Sequence, residues 1–301
     1  MGNSIPDITG FIPVITGRQG IDEMVRAYLH LLSPWALISY PHAISVDIQP
    51  GPLDLLIDSG SYGFIKYGGH VTDNGDQISL TTTGPLGEIR ITTCDLLNFQ
   101  EQHARGGFTL DIPPLEGVVS QEEALHLSLT NGLWALKNRR RRDFLLYGAL
   151  PAVEDTTALC HCATVLAANG VDGIAIGNLV PKRRDQDFII RTVNALREAV
   201  PTHPLHAFGV GQPDRIRILF DLGVSSVDSS SYVRAAMDGK TLTMTSAGGG
   251  PCEPVKIDGP SPAEVLTLAL NNLCLLRQKT LPPRYTCFGL RRPDRSDSTS
   301  P

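Results

Sequence analysis

Phe144-Leu-Leu-Tyr-Gly-Ala149, a helical stretch over Asp155–Ala168, Gly173-Ile-Ala-Ile176, a second helical stretch over Asp187–Ala199, and Leu205-His-Ala-Phe208 follow one another along the chain. Short apolar runs bounded by breaks alternate here with amphipathic stretches of helical length. That alternation reads as parallel βαβ units. Working outward, the same pattern continues both ways. Candidate strands lie at Phe11–Ile15, Ala36–Ser39, Leu53–Ile57 and Phe108–Leu110 on one side and at Ser225–Val227 on the other. Further helices are expected over Ile21–Leu32, Thr93–His103, Gln121–Lys137, Pro213–Leu222 and Pro262–Leu276. Start signals support them, such as Ser120 before Gln121-Glu122-Glu123, and Gln212-Pro213-Asp214. Eight strands and their helices in 301 residues predict an α/β fold, a (β/α)8 TIM barrel rather than an open doubly wound sheet.

The Gly/Thr-rich segment Tyr67–Ile91 reads as a β-hairpin insertion after the third strand, and Ser246–Pro260 as a Gly/Pro-rich loop. Residues 1–290 are expected to form a single barrel domain, with a polar, disordered tail over 291–301. No internal repeat is visible. A net charge of −5 leaves nucleic-acid binding, if any, to local patches. Six irregularly spaced cysteines argue against a disulfide scaffold and fit a reducing compartment. The first residues show neither a secretory signal nor a complete myristoylation pattern, and no run is apolar enough to span a membrane. A cytoplasmic location is the expectation.

In a (β/α)8 barrel the chemistry sits at the C-terminal ends of the strands. Asp58 follows Leu55-Leu56-Ile57, Asp111 follows Phe108-Thr109-Leu110, and Gly177-Asn178 follows Ile174-Ala175-Ile176. Gly209 follows His206-Ala207-Phe208, and Asp228 follows Ser225-Ser226-Val227. Taken singly, an Asp after a strand is more often a helix cap or a turn residue, and Asp111 precedes Pro113-Pro114 after one residue, which suits a turn.

In order, these segments resemble one family. Asp58-Ser59-Gly60-Ser61-Tyr62-Gly63 is similar to the Asp-Ser-Gly-Gly-Phe/Tyr-Gln segment of tRNA-guanine transglycosylases. Ile91–Gln100, then Gly107-Phe-Thr-Leu-Asp111, resembles that family's helix and aspartate strand. Ile176-Gly177-Asn178-Leu179 resembles its Ile-Gly-Gly-Leu loop, and Gly209-Val210-Gly211 before Pro213 its Gly-Val-Gly-x-Pro turn. Val227-Asp228-Ser229-Ser230-Ser231-Tyr232, the segment Asp238–Thr243 and Leu268–Leu273 resemble the archaeosine branch. The resemblance spans Phe11 to Leu276.

It implies base exchange: guanine in a polynucleotide, tRNA or DNA, is replaced by a 7-deazaguanine. Asp228 would attack the ribose C1′ and hold a covalent intermediate. Asp58 would protonate the departing base and deprotonate the incoming one, the division of labour of a retaining glycosidase. Asp111 would accept the N1 and N2 hydrogens of guanine, and Tyr62 would stack on it. Ser59, Gly177, Asn178 and Leu179 would surround the base. Tyr62 could equally be packing at the barrel top. Lys182-Arg183-Arg184 would bind nucleic acid. The run Lys137–Arg142 is either a solvated helix end favoured by the helix dipole or a phosphate patch.

Several positions depart from the family. Its zinc site is reduced here to Cys252, with Asn271 in the place of the His, so no metal and no cofactor is expected and the C-terminal zinc region is degenerate. Cys160-His161-Cys162 would point to different helix faces and is no substitute. Gly63 stands where the family has Gln, Pro151 falls near a substrate-binding Gln, and Asn178 replaces a glycine. Partners implied are guanine-containing tRNA or DNA, a 7-deazaguanine base, and a second copy or a partner protein. The rival reading is a non-catalytic accessory subunit or nucleic-acid-binding homologue.

Overall fold

The computed structural model describes residues 8–17, 20–46, 52–75, 78–84, 86–243 and 256–277. Eight parallel strands close into a barrel: β1 (Gly10–Ile15), β2 (Trp35–Ser39), β3 (Asp54–Asp58), β7 (Gly106–Phe108), β8 (Leu145–Pro151), β9 (Gly173–Gly177), β10 (Leu205–Ala207) and β11 (Ser226–Ser229). The remaining strands, β4 (Gly69–Asp73), β5 (Ile78–Gly84) and β6 (Gly87–Thr92), form a separate antiparallel sheet. Closure is made by β1, which pairs with β11 (Phe11 opposite Val227) and with β2 (Val14 opposite Leu37).

The helices are α1 (Ile21–Leu29), α2 (Tyr40–Ala43), α3 (Tyr62–Tyr67), α4 (Thr93–His103), α5 (Gln121–Asn138), α6 (Thr156–Ala168), α7 (Gln186–Ala199), α8 (Pro213–Asp221), α9 (Ser231–Met237) and α10 (Pro262–Arg277). Side-chain caps fix the starts of α4, α5, α6 and α7. Thr92, Ser120, Asp155 and Asp185 accept the N–H of Asp95, Glu123, Ala158 and Phe188, each three residues on.

All eight expected barrel strands are present, because strands of a barrel wrapped in helices are buried on both faces and read as apolar runs. The fourth lies two residues earlier than expected. Gly106 and Gly107 pair with Leu56 and Ile57, and a side chain at 107 would strike the amide of Gln100, which donates to the Ile57 and Phe108 carbonyls. Glycines carry no apolar signal, so that start is invisible in the pattern. The insertion after the third strand holds one strand more than a hairpin, and α3 precedes it.

Period-2 alternation sorts each strand into an inner and an outer face. Ile12, Leu37, Leu56, Phe108, Tyr147, Ala149 and Ala175 fill the barrel interior. Ile57, Leu146, Leu150, Ile174, Ile176, Ala207 and Val227 pack outward under the helices. Asp58 stands two residues after Leu56 and Gly177 two after Ala175, so both continue the inner column where it reaches the mouth. Residues 1–7, 244–255 and 278–301 lie outside the described residues, among them Cys252, most of the Ser246–Pro260 loop and the 291–301 tail. No described helix is long and apolar enough to cross a membrane.

Candidate active site

At the C-terminal ends of the strands lies a cavity of about 400 Å³. Asp58, Asp111, Asp228, Tyr62 and Ser59 all line it, as do Gly177, Asn178 and Leu179. Residues far apart in the chain thus meet because each follows, or ends, a strand of one ring.

The tight turn after β3 organises the first side of the cavity. Gly60 has φ +72, and a side chain there would overlap Pro41. Its N–H donates to Asp58 Oδ1 at 3.0 Å, and the Ser61 N–H donates to Ser59 Oγ at 3.2 Å. Both hydroxyls then reach across to β7's continuation: Ser59 and Ser61 donate to Asp111 Oδ1 at 2.9 and 2.8 Å. Asp111 is 5% exposed. Burial raises its carboxyl above the usual range, opposed by the hydrogen bonds from Ser61 and Ser59. Its Oδ2 passes Gly177 so closely that a Cβ there would come within 2.7 Å. Glycine at 177 is therefore required by the carboxylate opposite, not by backbone conformation.

Asp58 is surrounded by protein on all but its cavity side. Desolvation, followed by the neighbouring carboxylates of Asp228 and Asp111, pushes it up to about 8 against the single favourable bond from Gly60. At neutral pH it is a carboxylic acid with a proton to give.

Asp228 is held differently. Its Oδ1 takes the Gly209 N–H at 3.0 Å and His206 Nε2 at 3.2 Å, and His206 Nδ1 lies 2.9 Å from Ser226 Oγ. With Asp228 Oδ1 as the acceptor, Nε2 is the donating ring nitrogen and Ser226 Oγ is the partner of Nδ1. The fully buried imidazole is wedged against Phe108 and Phe208, each ring centroid 4.8 Å away. His206 has no place in the sequence reading beyond the strand that carries it. The signal was there: a histidine at an inner-face position of an otherwise apolar strand, two residues before the strand-end Phe208-Gly209.

Tyr62 opens α3 and is 48% exposed at the cavity wall, so its ring face is available to a flat ligand. Tyr232 is different: it is buried and its hydroxyl donates to the Val14 carbonyl, tying α9 to β1. Asn178 replaces a glycine yet adopts φ +58, the left-handed region that Asn tolerates better than other side chains, and its amide donates to the Ala152 carbonyl at 2.9 Å. Gly63 and Pro151 are not among the residues lining the cavity.

The structure divides the basic run. Arg183 lines the cavity. Lys182 is turned to Glu154 at 2.8 Å and over the Phe188 ring, and Arg184 is exposed away from the cavity wall. Two arginines that the sequence reading passed over, Arg215 on α8 and Arg234 on α9, line the cavity with Arg183. The Lys137–Arg142 run lies at the other end of the barrel, ahead of β8, so it cannot contribute to this mouth. Cys162 is buried and His161 exposed on α6, on different faces as expected. Asn271 is exposed on α10 and offers an amide where the resemblance would need an imidazole. One thiol and one amide do not fit a four-ligand zinc centre.

The family model for queuine tRNA-ribosyltransferase matches residues 49–287. A tRNA-guanine(15) transglycosylase of Methanococcus aeolicus is 29% identical over 182 residues, covering 58% of this chain and 27% of that protein. A tRNA-guanine(15) transglycosylase of Methanosarcina acetivorans is 25% identical over 62% of this chain and 39% of its own length. A queuine tRNA-ribosyltransferase of Thermosipho africanus is 25% identical over 63% of this chain and 53% of its own length. The chain thus spans about a quarter to a half of these relatives.

Proposed function

The chain belongs to the queuine tRNA-ribosyltransferase family, and from that premise we propose that it exchanges guanine in a polynucleotide for a 7-deazaguanine. The observation that carries this reading is the convergence of Asp58, Asp111 and Asp228 on one cavity, with Asp58 held protonated and Asp228 steadied through one oxygen.

Asp111 and the ring of Tyr62 would hold the guanine, its N1–H and N2–H donating to the carboxylate. Asp228 would attack C1′ of the nucleotide, forming an O–C1′ bond as the glycosidic C–N bond breaks. The proton of Asp58 passes to the leaving base, so no free purine anion is released. The incoming base then gives a ring N–H proton to Asp58, its nitrogen bonds C1′, and the Asp228 carboxylate leaves. Atoms and charge balance, and both aspartates return to their starting forms. The hydrogen bonds from His206 and Gly209 fix the orientation of the Asp228 carboxylate, the kind of positioning on which near-attack geometry depends.

The test is direct. Full chain is incubated with guanine-containing tRNA and, separately, DNA, together with a labelled 7-deazaguanine. The reading expects label in the polynucleotide and a covalent protein adduct under denaturing conditions. Neither product with either polynucleotide would leave a barrel that serves as a non-catalytic partner subunit or a nucleic-acid-binding homologue.

A further inference from the structure

Three arginines line one arc of the cavity. Arg183 follows β9, Arg215 sits in the first turn of α8 after β10, and Arg234 sits in α9 after β11. These three strands are neighbours in the barrel, so successive connections each send one guanidinium to the same space. Among the described residues none of the three donates a side-chain hydrogen bond or forms an ion pair. Some arginines elsewhere are engaged, Arg139 with Asp172, Arg141 with the Glu101 and Ala104 carbonyls, Arg191 with Glu154, while Arg142 and Arg184, unpaired among the described residues, are exposed and do not line the cavity. The cluster is not a by-product of a basic composition either, because the chain carries a net −5. Burial, then the nearby charge of Arg183, holds Arg215 below its usual value, which places two like charges close together in a partly buried wall.

The opposite arc is acidic. Asp58 ends β3 and Asp111 follows β7, while Asp228 on β11 borders the arginine side. The cavity therefore runs from a carboxylate end to a guanidinium end with the nucleophile candidate at the junction. A nucleotide has the same polarity: a base edge of N–H donors, a sugar, a phosphate.

We propose that Arg183, Arg215 and Arg234 form a clamp for the phosphodiester backbone beside the nucleotide whose base enters the carboxylate end. The identity of the ligand rests on the base-exchange reading. Guanidinium groups bind phosphate oxygens through paired, charge-assisted hydrogen bonds. Phosphates in barrels of this kind are frequently held by the loops after the last two strands, and β10 and β11 are the seventh and eighth of the ring. A backbone suits the cluster better than a lone phosphate. Arg215 is half-buried while Arg183 and Arg234 are exposed, so the cations extend outward along a chain's path.

The experiment measures binding of a fluorescein-labelled, guanine-containing hairpin RNA, and of single-stranded DNA of the same sequence, across a KCl series. Full chain is compared with Arg183→Gln, Arg215→Gln and Arg234→Gln, with Arg142→Gln as a control of equal charge change at the other end of the barrel. The clamp expects each mouth variant to lower the slope of log K against log salt by about 0.7 on a single strand. Arg142→Gln leaves the slope unchanged, and Arg215→Lys, which keeps the charge, restores most of it. Thermal unfolding of every variant separates lost contacts from lost fold. Equal slopes in the mouth variants and the Arg142 control overturn the clamp. Competition by GMP but not guanosine, with the same arginine dependence and no polynucleotide binding, overturns the backbone assignment in favour of a free phosphate. Binding needs no base exchange, so the two readings fail separately. Arginine-dependent slopes with no exchange on any polynucleotide keep the clamp and sink the exchange reading. Exchange with unchanged slopes does the reverse.

Discussion

The two ends of this barrel use the same residue types to opposite effect. At the N-terminal end, the partly buried charged groups are paired within the protein. Arg139 pairs with Asp172 at 2.5 Å, and the same Asp172 oxygen takes the Leu146 N–H at 2.8 Å. Asp143 faces both Arg105 and Arg141, and Glu101 accepts the backbone N–H groups of Arg140 and Arg141. These contacts tie one βα unit to the next. At the C-terminal end Asp58 is pushed out of its ionised range by burial and then by the carboxylates of Asp228 and Asp111, and three arginines stand without counter-ions among the described residues. Buried or crowded charge without compensation costs stability, and proteins tolerate it where a ligand will supply the missing partner. One end is built for the fold and the other against it.

Substitution should separate the ends, and the largest effect is expected at Asp228. Asp228→Asn removes the nucleophile while keeping the shape that accepts the Gly209 N–H. Exchange should fall about 10⁴-fold or more, with no adduct and a melting temperature close to that of the native chain. An Asp228→Asn protein that still exchanges base would remove Asp228 from the chemistry. Asp58→Asn comes next, at about 10²- to 10⁴-fold for a lost proton donor. The same change should stabilise the fold. A carboxyl near 8 in the folded chain and near 3.8 when unfolded binds more protons folded, so native stability declines as pH rises through that window. Asn carries no such penalty, and a gain of about 1–2 kcal/mol above pH 8 is expected by urea unfolding. Adduct formation by the native protein should itself decline above about pH 8 as Asp58 loses its proton. If urea curves for native protein are flat from pH 4 to pH 9, the mouth is not strained in the way described.

His206→Phe sits below these. It removes the Nε2 donor to Asp228 and leaves the Ser226 hydroxyl without its partner. A hydrogen bond to a charged group contributes about 1.5–3 kcal/mol, so exchange should slow about 10- to 100-fold while adduct still forms. At the other end the expectation reverses. Arg139→Ala leaves the half-buried Asp172 carboxylate with only the Leu146 N–H, and should lower stability by about 1–2 kcal/mol without changing the exchange rate. A rate change there, with the fold intact, would mean the two ends are coupled.

The sequence displays the scaffold more readily than the division of labour between the ends. Eight buried parallel strands are apolar runs whatever they surround, so Leu55–Ile57 or Ile174–Ile176 announce themselves, and Asp58 and Asp228 are legible as the polar residues that end such runs. What a charge does depends on partners remote in sequence. Lys182 and Arg183 are adjacent, yet one is taken by Glu154, 28 positions away, and the other lines the cavity. Arg215 and Arg234 lie in helices and carry no motif. His206 is hidden for the same reason: its meaning comes from Asp228, 22 residues later on the neighbouring strand. Gly106-Gly107 hides a strand start because each glycine is required by a remote neighbour, Gly106 by Leu145 and Leu56 and Gly107 by the Gln100 amide.

The smallest expected effect concerns Asn178, where the comparison between the ends is sharpest because a mouth residue does work typical of the other end. Its φ of +58 disfavours any residue with a β-carbon by about 1–2 kcal/mol, and glycine escapes that penalty. Against this, its amide holds the Ala152 carbonyl at 2.9 Å, bridging the loops after β8 and β9. The bond contributes about 0.5–1.5 kcal/mol. Asn178→Gly trades one for the other and should move stability by less than about 1 kcal/mol. Asn178→Ala loses the bond and keeps the strained backbone, costing about 1–2 kcal/mol. If Asn178 also touches substrate, both variants raise KM for the incoming base; if it only bridges the loops, KM is unchanged in both and only the melting curves move, further for Asn178→Ala than for Asn178→Gly. Melting curves read beside KM for the two variants therefore assign this residue to the fold or to the site.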